Sequence, residues 1–142
     1  MSRIAVVWLH VLAAAVWVGG LVSTTHLVIP ALARGDRASL PLLGRARVAA
    51  WAALGLLVVS GLENLRHVRL DSPWVMAKLF LVVALLALAA HRDFALVPRA
   101  TRAIARGTAP ARALAGVRWL DRVLLLLAVV VLFLGVAIAR GR

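Results

Sequence analysis

Residues 4–33 contain no Asp, Glu, Lys or Arg. A helix needs about 20 predominantly apolar residues to cross a hydrocarbon core of roughly 30 Å. The run is also far longer than the apolar core of a signal peptide, about 7–15 residues. It therefore reads as a retained transmembrane helix. Three further segments follow. Residues 48–62 are apolar between Arg47 and Glu63; residues 72–91 ("SPWVMAKLFLVVALLALAAH") carry one interior cation, Lys78; residues 123–139 ("VLLLLAVVVLFLGVAIA") are apolar between Arg122 and Arg140. Backbone polar groups have no water to bond in lipid, so uniformly apolar spans of this length must be helical. The expectation is an all-α bundle of four transmembrane helices in one domain, with spans at about residues 4–29, 46–66, 73–92 and 120–139 and a basic loop over 93–119. No internal repeat is visible along the chain.

The arginines decide orientation and partners. The net charge is +12 in a chain that is 64% apolar. A soluble basic protein of this charge would suggest nucleic acid. Here the cations lie between long uncharged runs, which excludes a nucleic-acid surface and points to anionic lipid headgroups at the basic loops. Arg34, Arg37, Arg45, Arg47, Arg92, Arg99, Arg102, Arg106, Arg112, Arg118 and Arg122 fall on one side, against Arg3, Arg66, Arg69, Arg140 and Arg142 on the other. Basic loops stay cytoplasmic, so an N-out/C-out arrangement in a bacterial-type inner membrane is expected. Arg99, Arg102 and Arg106 share one face over residues 93–106; a helix on the inner leaflet and a solvated linker broken by Pro98 and Gly107 both fit. The chain has no Cys, which removes thiolate metal sites, disulfides and cysteine nucleophiles.

Ionisable side chains at membrane depth cost about 2.5–3.5 kcal/mol each at a helix centre and need a reason. His10 lies about two turns inside the first span, with Trp17 and Thr24 on its side of the helix. Glu63 and Asn64 end the second span, with Ser60 and His67 on the same side as Glu63. Lys78 enters one turn past Trp74 in the third. The antiparallel order brings these groups to one level, so a polar network of Glu63, Asn64, Lys78 and Trp17 about His10 is expected, with Glu63 paired to Lys78. An ordinary interhelical ion pair, or a snorkelling Lys78 with Glu63 in the headgroups, would account for the same residues. His26 and His91 sit near span ends, where a histidine is cheap. Trp8, Trp74 and Trp119 suit interfacial belts.

These stretches resemble a known family. "WLHVLAAAVWVGGL" (8–21), "LLVVSGLENL" (56–65) and "SPWVMAKLFLVVALLALAAHRDFALVPR" (72–99) resemble the copper-resistance D family of membrane domains, in which a Leu-His pair precedes a Trp-x-Gly-Gly element. The HemJ-type protoporphyrinogen oxidases, four-helix proteins that bind haem b, are similar in their early His and later Lys. The first resemblance implies copper handling or a metal cofactor held through His10. The second implies haem b. Copper(I) favours thioether and thiolate donors, and this chain offers only Met1 and Met76. His10 with Met76 could hold a metal; His10 with His67, Met76 or Lys78 could supply axial haem ligands. A third reading is a non-catalytic subunit of a larger membrane complex or homo-oligomer. Hydrolytic motifs are absent, and enzymatic activity is left open.

Overall fold

The computed structural model describes residues 3–66 and 72–140, and no strand occurs among them. Four helices run up and down: α1 (Arg3–Ala33), α2 (Arg37–Leu65), α3 (Pro73–Ala105) and α4 (Ala115–Arg140). All four are long and apolar enough to cross a membrane. A single helical turn, Pro110–Ala113, precedes α4. The two ends of the bundle are distinct. One carries the start of α1 and the end of α4 (the terminal end); the other carries the Arg-rich turns (the basic end).

The turns at the basic end follow from local chemistry. Gly35 and Gly107 close α1 and α3 at φ of 95° and 90°, a conformation glycine adopts without a Cβ penalty. Each makes the same pair of closing bonds. Gly35 and Asp36 amides donate to the Leu32 and Ala31 carbonyls; Gly107 and Thr108 amides donate to those of Ile104 and Ala103. This is the arrangement by which many helices satisfy their last carbonyls. Asp36 then starts α2, accepting from the Ala38 amide at 3.1 Å and the Ser39 hydroxyl at 2.7 Å.

Both α1 and α3 widen into one π-helical turn, at Thr24–Val28 and Arg92–Leu96. Each turn is followed at the same distance by a proline, Pro30 or Pro98. A proline inside a helix has no N–H to donate and crowds the carbonyl four residues earlier. Widening to a five-residue bond, Ile29 to Thr24 and Val97 to Arg92, lets the helix pass the proline without breaking. Consequently α3 continues to Ala105, and the stretch expected to be loop from residue 93 is helical up to that point. Its 33 residues rise roughly 50 Å, well beyond the thickness of a hydrocarbon core.

Packing is heaviest within two hairpins, α1 against α2 and α3 against α4, with α1 also meeting α4. Trp17, Leu21, Leu54, Leu85, Leu124 and Ala128 form one core cluster, and Ile29, Leu32, Leu43, Ile104, Leu114 and Val117 form another at the basic end. Large apolar side chains are also exposed on the outer surface, including Ile4, Val48, Phe80 and Phe133. In water such a surface would aggregate; against lipid tails it is the expected coat. Trp8 and Trp74 are exposed towards the terminal end and Trp119 towards the basic end, as interfacial belts require.

Candidate functional site

Two polar clusters lie within the bundle, one towards each end. At the terminal end, α1 presents His10 to α2. Its Nδ1 lies 2.9 Å from the Ser60 Oγ. Ser60 is buried, and its single hydroxyl proton is directed to the Leu56 carbonyl at 2.6 Å. The Ser60 oxygen is therefore the acceptor and His10 Nδ1–H the donor. That assignment places the lone pair of a neutral imidazole on Nε2; the Leu57 carbonyl of α2 also lies within hydrogen-bond reach of the ring. The imidazole approaches α2 closely because Gly61 has no side chain: a Cβ there would stand 3.4 Å from His10 Cε1.

Lys78 enters the same end from α3. Its ammonium rests against α4 at Gly135, where a Cβ would stand 3.2 Å from Nζ. Lys78 is half-buried, on the hairpin opposite His10. No carboxylate lies within ion-pair distance of it among the described residues.

The structure separates the other expected members of the network. Glu63 pairs with Arg66 one turn along its own helix at 3.0 Å, with its side chain 41% exposed, so the expected Glu63–Lys78 pair is not formed. The reason is reach: an arginine three residues ahead on the same face is the nearer partner. Asn64 is half-buried near the end of α2. Trp17 is 5% exposed but lies in the core cluster midway along the bundle, two turns of α1 from His10. Met76 is 55% exposed. His67 lies outside the described residues. No group of three or more His, Cys, Asp or Glu side chains able to hold a metal forms among the described residues. His26 is exposed, its Nδ1 3.0 Å from the Val22 carbonyl.

The second cluster was not anticipated from the sequence, which counted Arg92 as a loop charge. Arg92 sits on the π turn of α3 and is 8% exposed. Its Nε and Nη2 donate to the two carboxylate oxygens of Asp121 on α4, and its Nη1 donates to Asp93 Oδ1 at 2.5 Å. Asp121 is fully buried. Asp93 accepts a further bond at 2.9 Å from the Trp51 indole N–H on α2. The Trp51 ring packs on Phe94 with centroids 5.3 Å apart, and the Arg47 guanidinium lies over the Phe94 ring, 5.9 Å from its centroid. Two carboxylates and Arg92 sum to one negative charge, and the exposed Arg47 is the next cation along the cluster. A cavity of about 30 Å³ adjoins this cluster between Trp17, Thr24, Arg47, Arg92 and Asp93, room for roughly two water molecules. The arrangement ties α2, α3 and α4 together and leaves no carboxylate oxygen of Asp121 free. It is a structural clamp.

Searches against known families, curated proteins and solved structures return no match.

Proposed function

We propose that this is a multi-pass membrane protein of copper-resistance D type that holds a metal cofactor through His10. The observation that supports the reading is the hydrogen bond from His10 Nδ1 to Ser60. Metal-ligating histidines characteristically donate their second ring nitrogen to a fixed acceptor, which sets the tautomer and aims the ligating nitrogen. Here the acceptor is itself pinned to the Leu56 carbonyl, and Nε2 is the nitrogen left to ligate.

Of the two cofactors the resemblances imply, the donor set fits haem b better than copper. One imidazole, that of His10, would suffice to hold the haem iron. A copper(I) relay would need several soft donors, and Met76 faces outward at 55% exposure. Haem would supply one-electron chemistry; what this chain supplies is an oriented imidazole in an apolar bundle. We place the basic end in the cytoplasm and the terminal end outside, in a bacterial-type inner membrane, on the arginine imbalance.

The test is the absorption spectrum and metal content of the purified protein and of His10→Gln. A Soret band that His10→Gln abolishes while the fold survives supports haem. Stoichiometric copper lost in the same variant supports copper handling. Neither in the wild type would overturn the reading in favour of a non-catalytic subunit.

A further inference from the structure

The two hairpins follow one plan. Adding 68 to a residue number in α1 gives its counterpart in α3, and adding 74 to one in α2 gives its counterpart in α4. Under the first rule Trp17, Leu21, Thr24 and Leu32 fall on Leu85, Ala89, Arg92 and Ala100, and all eight are buried. The π turns coincide, Thr24–Val28 on Arg92–Leu96, and so do Pro30 and Pro98. Under the second rule buried Leu43, Leu54 and Ser60 fall on buried Val117, Ala128 and Leu134. The six-residue difference between the rules is taken up at the basic end. There α3 runs one turn further before its closing glycine, and the turn Pro110–Ala113 follows.

The two rules meet at the terminal end. His10 falls on Lys78, and Gly61 falls on Gly135. In each hairpin, then, a long polar side chain of the first helix lies against a glycine of the second at the matching position. Helical periodicity alone would reproduce the burial pattern, because apolar faces repeat every turn. It would not reproduce a π turn, a proline two residues past it, and a glycine beside a long polar side chain at matching places in both hairpins. Parallel hairpins of this kind are related by an axis along the membrane normal, and in membrane proteins built from repeats the binding site lies between the halves.

We propose that the chain is a tandem of two equivalent hairpins and that His10 and Lys78 form one composite site across their pseudo-two-fold axis, for a lipophilic ligand carrying a single carboxylate. This deepens the His10 reading and rests on it for the site. Each half supplies a different function. Lys78 is an ammonium with no carboxylate partner among the described residues, set within an apolar bundle where an unneutralised charge is costly. It lies five residues into α3, level with Gly135, five residues before the end of α4, and its Nζ rests against that glycine. One ammonium matches one negative charge, which suits a carboxylate better than a doubly charged phosphate. His10 Nε2 offers a lone pair, an acceptor for a hydrogen-bond donor on the same ligand. An approach from the apolar surface demands that the ligand partition into the bilayer.

The test uses the full chain in neutral phosphatidylcholine nanodiscs at mildly alkaline pH, with dodecanoate as probe and dodecanol as its uncharged twin. A ligand that binds the folded state raises the unfolding midpoint in proportion to its occupancy. Dodecanoate is expected to raise the midpoint and dodecanol to leave it unchanged. Lys78→His should weaken dodecanoate by on the order of tenfold or more, the loss of a charge-assisted bond. The exchange His10→Lys with Lys78→His returns the ammonium to the axis from the other half and should restore most of the affinity. Equal shifts from both probes, or an unchanged affinity in Lys78→His, would overturn the carboxylate site. An exchange no better than Lys78→His alone, with its ligand-free midpoint retained, would overturn the equivalence of the halves. Dodecanoate binding in a protein with no metal or haem would leave this site standing and remove the cofactor reading.

Discussion

Asp121→Asn is the change that tests the clamp at the basic end. The side chain keeps its shape, and one oxygen still accepts from Arg92. The other oxygen becomes an NH₂ group facing the Arg92 Nη2 donor, which now sits 3.3 Å from an acceptor. Two donors then face each other in a site from which Asp121 is fully excluded from solvent. Removing one partner of a buried pair costs about 3–5 kcal/mol, because the remaining charge stays buried. Asp93 still holds Arg92 through Nη1, so the lower end applies, about 3 kcal/mol. The measurement is the unfolding free energy in mixed micelles titrated with denaturing detergent. The double variant with Arg92→Gln should lose less than the two single losses combined, since each removes the same interaction. A loss below about 1 kcal/mol for Asp121→Asn, the range of a surface pair, would show that the clamp is solvated and the reasoning wrong.

Trp51→Phe keeps the ring beside Phe94 but removes the donor 2.9 Å from Asp93; a bond to a charged acceptor contributes about 1.5–3 kcal/mol, so the same titration should show a loss in that range. Ser60→Ala frees His10 Nδ1 and should weaken the cofactor by about 10–100-fold with little change in unfolding, read from a competition titration followed at the cofactor's absorbance; unaltered affinity would mean the tautomer is set elsewhere. A reporter fused after Arg142 should behave as periplasmic, and cytoplasmic activity there would reverse the orientation.

The four spans were legible because each is a long apolar run, a signal that depends only on the thickness of a bilayer. Their ends were less so. The expected loop from residue 93 rested on the first charges after an apolar run, Arg92 and Asp93, being read as an exit from the membrane. They are instead held inside the bundle by each other, by Asp121 and by Trp51. Neutralisation by partners distant in sequence is what a linear reading cannot see. Asp121, six residues into α4 and the only acid in that helix, was the one available hint. The same difficulty applied in reverse at Glu63. Depth suggested a partner on another helix, while Arg66, three residues away, was the simpler solution and the one the protein adopts.

His10 was found by depth, but its chemistry was not. Its orientation depends on Ser60, which shares a helix face with Glu63 and was noted only for that. The likeness of the two hairpins was hidden for a related reason. A lipid-facing helix asks little more of most positions than that they be apolar, so Val, Leu, Ala and Trp exchange freely while burial is kept. What cannot drift is where the backbone or a polar group demands one residue type. Those positions are Pro30 and Pro98, each passed by a π turn, and Gly61 and Gly135, each lying against the polar side chain of its own hairpin. Only the structure shows that these positions correspond, the prolines at an offset of 68 and the glycines at one of 74. A repeat of this kind is carried by its constraints, and the two polar residues it sets opposite each other are then free to differ, one a lone-pair donor and one a cation.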